Sequence, residues 1–206
     1  MGSYAEKFEQ YRRFLNRAVR YDLQMFEVSK ISRIVDIGCG FGDSIRRLNR
    51  LGYISVSGVE PDPYCVEKRG DLDIRVGSIT NTGYPSNSVD VVIVENVFHH
   101  VAEYGPALLE IKRILKPKQI LCFIEPRNSF WRKCLDSLTF QTPLPDLVGG
   151  GLKLRKLVMG EELETGLYPQ WLKNHDLFFD LMEQHFQIVW LRKNAFFYFC
   201  KAQKYD

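Results

Sequence analysis

Three glycines and an acidic residue stand close together near the start of the chain. The sequence from Asp36 to Gly42 reads DIGCGFG, which places glycines at Gly38, Gly40 and Gly42. Because glycine has no Cβ, the backbone can turn tightly there and a ligand can lie directly against it. The start of a following helix would offer free N–H groups and a positive dipole end to a ligand carboxylate. The spacing predicts a ligand-binding turn, and a purely structural turn is the alternative.

The elements on either side of this turn are predicted to be a strand and a helix. Residues 34–37 form a short apolar run, and Ile45 and Leu48 then recur at helical spacing, opposite a row of arginines. A second strand is predicted over residues 54–59. It ends in Glu60, whose carboxylate can accept hydrogen bonds from both hydroxyls of a ribose. The pattern therefore favours a ligand that contains adenosine.

Two kinds of nucleotide site fit a glycine turn followed by such an acidic residue. A dinucleotide fold has the pattern G-x-G-x-x-G, and counting from Gly38 places Asp43 where the third glycine belongs. The spacing present is D-x-G-x-G-x-G. A dehydrogenase is therefore disfavoured, although Glu60 alone does not decide between the two.

A second group of chemically capable residues follows the most apolar stretch of the chain. Residues 89–94, VDVVIV, are typical of a central parallel strand that is covered on both faces. His99 and His100 come shortly after it, at the sheet edge where open α/β sheets bind ligands. One of the two imidazoles could act as a general base, and we slightly favour His100 for this role. An unperturbed imidazole has a pKa of about 6.5. The alternative is that both side chains pack against or cap the next helix.

These motifs resemble those of the class I S-adenosylmethionine-dependent methyltransferases. Residues 89–126 are similar to one subgroup, the small-molecule (type 11-like) enzymes, in which a strand leads to paired histidines and a helix ending in E-x-x-R-x-L-K-P. The residues that match this ending are Glu110, Arg113, Leu115, Lys116 and Pro117. Lys118 and Gln119 replace the glycines that usually follow, a departure confined to a turn.

The resemblance implies a fold, a cofactor and a set of site residues. The fold would be an α/β, Rossmann-like, doubly wound sheet of seven strands, mostly parallel with an antiparallel C-terminal strand. The cofactor would be S-adenosyl-L-methionine. The residues implied to bind it are Asp36, Gly38, Cys39, Gly40, Gly42, Glu60, Pro61, Ser78, Ile79, Glu95, Asn96 and Val97. The residues placed for catalysis are His100 and His99.

The remaining segments are predicted to complete a single domain over residues 1–206. Residues 1–28 have helical periodicity and would form a cap that packs on the domain or covers the cofactor through Tyr4 or Tyr11. Residues 127–170 form an insertion at the place where related enzymes recognise substrate, with 144–160 as a mobile lid or a surface loop. Asn174 is predicted to cap a last helix. Two strands, residues 186–191 and 195–200, would form a final hairpin.

Composition limits the classes of function. The 206 residues are 45% hydrophobic and 26% charged, and 28 basic against 25 acidic residues give a net charge of +3. Such a balance gives no sign of a nucleic-acid partner. The longest apolar run falls short of a membrane span. Five scattered cysteines without a C-x-x-C pair favour reduced thiols in a cytoplasmic protein without a metal site.

The expected activity is methyl transfer to an O, N or C atom of a small-molecule, lipid-like or sugar acceptor. The residues after the predicted fourth strand, ENVFHH, differ from the [DN]-P-P-[YFW] motif of amino-methylating nucleic-acid enzymes. The alternative is a cofactor-binding subunit or regulator without transferase activity. Neither the acceptor nor the oligomeric state can be read from the sequence.

Overall fold

The computed structural model of the protein describes Tyr11 and residues 23–206. Tyr11 is helical and buried. The other residues of the predicted cap up to position 22 lie outside the described residues. The described part of the chain resumes with a 3₁₀ turn at Leu23–Phe26. The helical cap therefore stays a prediction.

Seven strands form one sheet in the order β3-β2-β1-β4-β5-β7-β6. Their bounds are β1 Arg33–Ile37, β2 Ser55–Glu60, β3 Ile74–Val76, β4 Val89–Glu95, β5 Leu115–Pro126, β6 Phe186–Lys193 and β7 Phe197–Lys204. Strands β1 to β5 pair in parallel, and β7 lies antiparallel between β5 and β6. The predicted α/β, Rossmann-like sheet with an antiparallel end is confirmed.

Helices cover both faces of this sheet. Their bounds are α1 Asp43–Arg50, α2 Pro63–Glu67, α3 Tyr104–Ile114, α4 Phe130–Phe140, α5 Leu144–Val148, α6 Gly150–Glu164 and α7 Leu167–Glu183. A 3₁₀ turn at Phe98–His100 connects β4 to α3. No helix in the described part of the chain is long and apolar enough to cross a membrane.

Strand β4 shows why the sheet is covered on both sides. Val92 and Val94 belong to one apolar cluster, which includes residues of α3 and α7, whereas Val91 and Ile93 belong to a cluster on the other face. All four side chains are buried. Because successive side chains of a strand point to opposite faces, a continuous apolar run needs two cores. Each such side chain contributes roughly 1.5–3 kcal/mol through burial.

The boundary between α3 and β5 differs from the sequence prediction. The helix was expected to stop at Pro117, but it ends at Ile114, and Pro117 lies inside β5. The pairing of β5 with β4 is irregular there, since the register shifts between Val89 and Val91. Lys118 takes a positive φ of 59° in the same stretch. A proline is tolerated at such an irregularity because no regular ladder hydrogen bond requires its missing N–H.

The insertion, residues 127–170, is helical where a loop was considered. Residues 144–160 fall mostly in α5 and α6, and Gly149 and Gly150 form the junction between these helices with φ of 69° and 60°. The last helix begins at Leu167, and Asn174, the predicted cap, lies at a kink inside it. The surface-loop alternative is therefore wrong, and movement of the segment as a lid stays a prediction.

Glu110, the first residue of the E-x-x-R-x-L-K-P ending, is buried. One carboxylate oxygen accepts hydrogen bonds from the Thr82 backbone N–H at 2.8 Å and the Thr82 hydroxyl at 2.6 Å. The other accepts from Arg113 Nε at 2.7 Å. Hydrogen bonds from Arg113 are the main cause that lowers the pKa of Glu110 to about 2. The E-x-x-R motif thus ties α3 to the connection before β4.

We expect this carboxylate to make stability depend on pH. Its pKa is lower in the folded chain than its ordinary value of 4.5, so its contribution is present above pH 4.5 and is lost as pH falls toward 2. Urea unfolding should therefore show Glu110→Gln less stable than wild type at pH 6, with the difference shrinking below pH 4. The control is Glu103→Gln, an exposed carboxylate before the same helix. A difference that stays constant down to pH 2 would contradict the assignment.

Candidate active site

A cavity of about 610 Å³ opens at the carboxyl ends of β1, β2 and β4. This volume is within the roughly 300–1,000 Å³ of small-molecule sites. The predicted cofactor residues that line it are Asp36, Gly38, Cys39, Gly40, Glu60, Pro61, Ser78, Ile79, Glu95, Asn96 and Val97. Both His99 and His100 line it as well. The structure thus brings the glycine turn and the histidines to one cavity, although their roles stay predictions.

Gly42 is not among the residues that line this cavity. It precedes α1 with a φ of 78°. A Cβ built there would lie 2.4 Å from Leu72 Cδ1 and 2.8 Å from Ile74 Cδ1. Backbone conformation and packing are enough to explain why this position needs glycine, and its role as a cofactor contact stays a prediction.

Gly38 needs glycine for two reasons, its backbone conformation and a close contact with another segment. Its φ is 72°, and a Cβ there would lie 2.3 Å from a methyl carbon of Val97. The turn after β1 therefore packs directly on the segment after β4. This close approach places the glycine turn beside the residues that lead to the histidines.

Glu60 stabilises the glycine turn and can still accept hydrogen bonds from a ligand. Its Oε2 accepts from the Gly40 N–H at 2.8 Å and its Oε1 from the Asp62 N–H at 3.0 Å. Burial raises the pKa of this carboxyl, while the two N–H donors oppose the rise. Each carboxylate oxygen can accept a second hydrogen bond, so both hydroxyls of a ribose can still be bound.

Asp36 and Glu95 place two neighbouring carboxyl groups in this part of the cavity. Burial, and next the charge of Glu95, raise the pKa of Asp36 well above its usual range. Arg47 donates to Glu95 at 3.0 Å and is one cation against two carboxyl groups. A ligand with an ammonium and a sulfonium would relieve this imbalance, whereas a pyrophosphate would increase it. The donor set therefore fits S-adenosylmethionine and disfavours a dinucleotide.

His99 is oriented by a fully buried carboxylate. Its Nδ1 lies 2.7 Å from Glu125 Oε2. The other oxygen of Glu125 accepts from the backbone N–H groups of Val97 and Phe98, each at 2.7 Å. A carboxylate that receives Nδ1–H leaves Nε2 of the imidazole as the acceptor. Glu125 and His99 therefore have the arrangement of an orienting group and a base.

Burial changes the protonation that an unperturbed imidazole would have. It lowers the pKa of His99, which is 4% exposed, to about 3. The pKa of His100 is lowered as well, although its side chain is 40% exposed to water. Burial also raises the pKa of Glu125 to about 8. Titration of His99 near pH 6.5 is therefore not expected, because water does not reach this buried ring well enough to stabilise its charged form.

Glu162 lies on the other side of the two imidazoles. Its carboxylate oxygens are 3.9 Å from His99 Nε2 and 3.8 Å from His100 Nε2, and the ligand atoms of the three residues lie within 4.8 Å of one another. A bound Zn²⁺ would bring such atoms to about 3–3.4 Å, given bond lengths near 2.1 Å. The charge of Arg132, which helps to lower the pKa of His99, also opposes a cation here. The absence of a metal site stays a prediction.

The insertion supplies one wall of the cavity. The lining residues from α4, α6 and α7 are Arg132, Arg155, Met159, Glu162 and Tyr168. Arg155 donates to Asp136 at 2.5 Å and to the Thr139 hydroxyl at 2.6 Å, and Tyr168 donates to Asp136 at 3.2 Å. This polar network joins the three helices across the wall.

Sequence reasoning missed Glu125 and the polar residues of the insertion. Glu125 follows an apolar strand, ILCFI, so a charged residue at the end of a buried strand was an available signal. Arg132, Arg155 and Glu162 lie in helices without a recognisable motif, and no local signal marks them. These three residues line one cavity only because of the way in which the helices pack.

Comparisons with known proteins agree with this geometry. The family model described as a methyltransferase domain matches residues 35–123. An uncharacterized methyltransferase of Schizosaccharomyces pombe is 31% identical over 111 residues, which cover 46% of this chain and 40% of that protein. Cycloartenol-C-24-methyltransferase 1 of Oryza sativa is 25% identical over 136 residues, which cover 56% of this chain and 39% of that protein. The chain thus spans well under half the length of these curated relatives.

A solved structure extends the likeness to the whole fold. The crystal structure of an S-adenosylmethionine-dependent methyltransferase from Aquifex aeolicus aligns with a TM-score of 0.61 at 16% identity, covering 99% of this chain and 100% of that one. At such identity the likeness concerns the fold. Residues 35–123 match a methyltransferase domain, and the glycine turn and the charged groups of the cavity fit S-adenosylmethionine as its cofactor.

Proposed function

We propose that this protein transfers a methyl group from S-adenosylmethionine to an O, N or C atom of a small organic acceptor. The observation that carries the proposal is the single cavity lined by Gly38, Glu60 and His99. It joins the cofactor residues to a group that can take a proton. The match to a methyltransferase that acts on cycloartenol supports a small-molecule acceptor.

The geometry supports a role for each group of residues in this proposal. Gly38, Gly40 and Glu60 would hold the nucleoside end. The carboxyl groups of Asp36 and Glu95 would bind the cationic end, whose charge would favour their ionised form. S-adenosylmethionine, when bound, supplies an electrophilic methyl group on a sulfonium. The protein contributes positioning and exclusion of water.

His99 is the proposed base for an acceptor that must lose a proton. Its Nε2 would take the proton of an acceptor hydroxyl while Glu125 holds Nδ1–H at 2.7 Å. This assignment shifts the slight sequence preference from His100 to His99, since the described structure gives His99 a closely bonded orienting carboxylate. His100 is 40% exposed and lies 3.8 Å from Glu162.

Turnover decides between an enzyme and a cofactor-binding subunit. The protein would be incubated with S-adenosylmethionine and a panel of phenols, amines, sugars, prenylated quinols and hydroxy acids, and formation of S-adenosylhomocysteine would be measured. The proposal expects turnover with at least one class. Tight cofactor binding without turnover on any of them would favour the non-catalytic alternative.

Replacing Glu60 with alanine should weaken S-adenosylmethionine binding by roughly tenfold or more, because the ribose hydroxyls lose a charged acceptor. Calorimetry on the wild type should give a micromolar dissociation constant, about −8 kcal/mol. Glu67→Ala, at the end of α2 and exposed, is the matched control and should bind as wild type. Binding of NADH in place of S-adenosylmethionine would contradict the cofactor assignment.

A further inference from the structure

One cation in the wall of the cavity lacks a carboxylate partner. Arg132 is 6% exposed and lines the cavity. Its Nη2 donates to the Phe196 carbonyl at 2.7 Å, and its Nε has no hydrogen-bond partner. No carboxylate of the described residues forms an ion pair with it. A buried guanidinium in this state is costly, because burial removes water without replacing it by an anion.

The two other charged groups nearest in the wall are already engaged. Arg155 is in an ion pair with Asp136 at 2.5 Å. The carboxylate of Glu162 lies beside His99 and His100, at 3.9 and 3.8 Å. Among the described residues that line the cavity, the positive charge that remains for a ligand is therefore that of Arg132.

The guanidinium of Arg132 is held in a fixed position. Its backbone N–H donates to the Ser129 hydroxyl at 3.1 Å, which caps α4. The guanidinium lies 4.9 Å from the ring centre of Phe197 and 5.6 Å from that of Phe196. The aromatic contacts and the hydrogen bond to one carbonyl hold the plane of the guanidinium. Its other N–H groups can still donate to an anion, and a planar carboxylate matches a guanidinium held in this way.

The position of Arg132 is on the acceptor side of the cavity. Arg132 and His99 line the same cavity. Val101, Pro126 and Met159 line the same cavity and are apolar. A ligand that contacted both these apolar side chains and the guanidinium of Arg132 would have an apolar body and one anionic group.

We infer that the acceptor is an organic acid whose carboxylate binds Arg132, an assignment that rests on the proposed methyl transfer and names its substrate class. A carboxylate is favoured over a phosphate monoester because one guanidinium is available, which matches a single negative charge in a planar group. The acceptor atom would then lie toward His99, at the other end of the molecule.

The test compares acids with their neutral amides. Binding would be measured by calorimetry, in the presence of S-adenosylhomocysteine, for 4-hydroxybenzoate, 4-hydroxyphenylacetate and 3-hydroxyoctanoate, each beside its primary amide. The inference expects at least one acid to bind about tenfold or more tightly than its amide. This comparison uses the wild-type protein, so it stands even where a variant fails to fold.

Three variants locate the effect. Arg132→Gln should abolish the preference for the acid, and Arg132→Lys should retain part of it, because it keeps the charge but loses the planar fork. Lys133→Gln removes the same charge from the adjacent, exposed position and should leave the preference unchanged.

Several results would overturn the inference. These are equal binding of acids and amides, no binding of any acid at millimolar concentration, or an acid preference that survives in Arg132→Gln. Inorganic phosphate binding more tightly than every acid would overturn the choice of carboxylate. Failure of the wild type to bind S-adenosylhomocysteine would instead contradict the proposed function, since the acid preference is measured separately.

Discussion

Replacing His99 with alanine is expected to lower turnover by ~10²–10⁴-fold while cofactor affinity stays within a few fold. The imidazole lines the cavity, and its Nδ1 is held 2.7 Å from Glu125. A positioned base contributes this much when the acceptor must lose a proton in the transition state. Turnover would be followed as S-adenosylhomocysteine formation with a methylated acceptor from the panel. His100→Ala is the matched comparison, and we expect it to cost less.

The pH profile separates a base from a residue that only positions the acceptor. Since the pKa of His99 is lowered to about 3, its ionisation should leave no inflection near pH 6.5. The carboxyl of Glu125, whose pKa is raised to about 8, must be ionised to accept Nδ1–H and leave Nε2 free as a base. Turnover should therefore rise as pH passes through about 8. Near-native rates in both histidine variants would leave proximity and desolvation as the mechanism.

The fold was largely predictable because its signals are local. The run 89–94 is apolar at nearly every position, which a strand covered on both faces requires. The glycine turn and the amphipathic helix after it are likewise readable within fifteen or so residues. The errors at Pro117 and Asn174 concern boundaries, where pairing with a neighbouring strand or packing of a longer helix overrides the local signal.

The helical insertion shows how tertiary packing overrides composition. Three consecutive glycines from Gly149 to Gly151 suggested a hinge or loop, since glycine is unfavourable in helix interiors. In the structure, α6 begins inside this run and buries Val158 and Met159. Burial of these side chains, with the ion pair from Arg155 to α4, offsets the low helix propensity of its first turn.

The sequence predicted the cofactor side of the candidate site, whose signals are local, and missed the acceptor side, whose contacts join distant parts of the chain. Glycine spacing and the acidic residue after β2 are properties of short segments. The contact between His99 and Glu125 joins residues 26 positions apart, and Arg132 is fixed by a carbonyl 64 positions away. Such contacts depend on which strands become neighbours, and one sequence alone does not show this.

Removing the Glu125 carboxylate should have the largest effect on stability. Glu125 is fully buried, and its oxygens receive the N–H groups of Val97 and Phe98 together with His99 Nδ1. Glu125→Ala would leave these three groups buried without a partner, at about 1–3 kcal/mol each, so we expect a loss of about 3 kcal/mol or more. Urea unfolding at pH 7 would measure it. Glu164→Ala, at an exposed position that ends α6, should change stability little.

Glu125→Gln separates the structural role of this residue from its role in orienting the base. The amide oxygen can still accept from Val97 and Phe98, so most of the stability should remain. The amide NH₂ would face His99 Nδ1 and donate to it, which places the imidazole proton on Nε2 and leaves no base toward the acceptor. Turnover should therefore fall by ~10²-fold or more although the protein stays folded. Full activity in Glu125→Gln would show that His99 takes no proton during the reaction. Equal loss of stability in both variants would contradict the expectation that the amide oxygen replaces the carboxylate as acceptor for Val97 and Phe98.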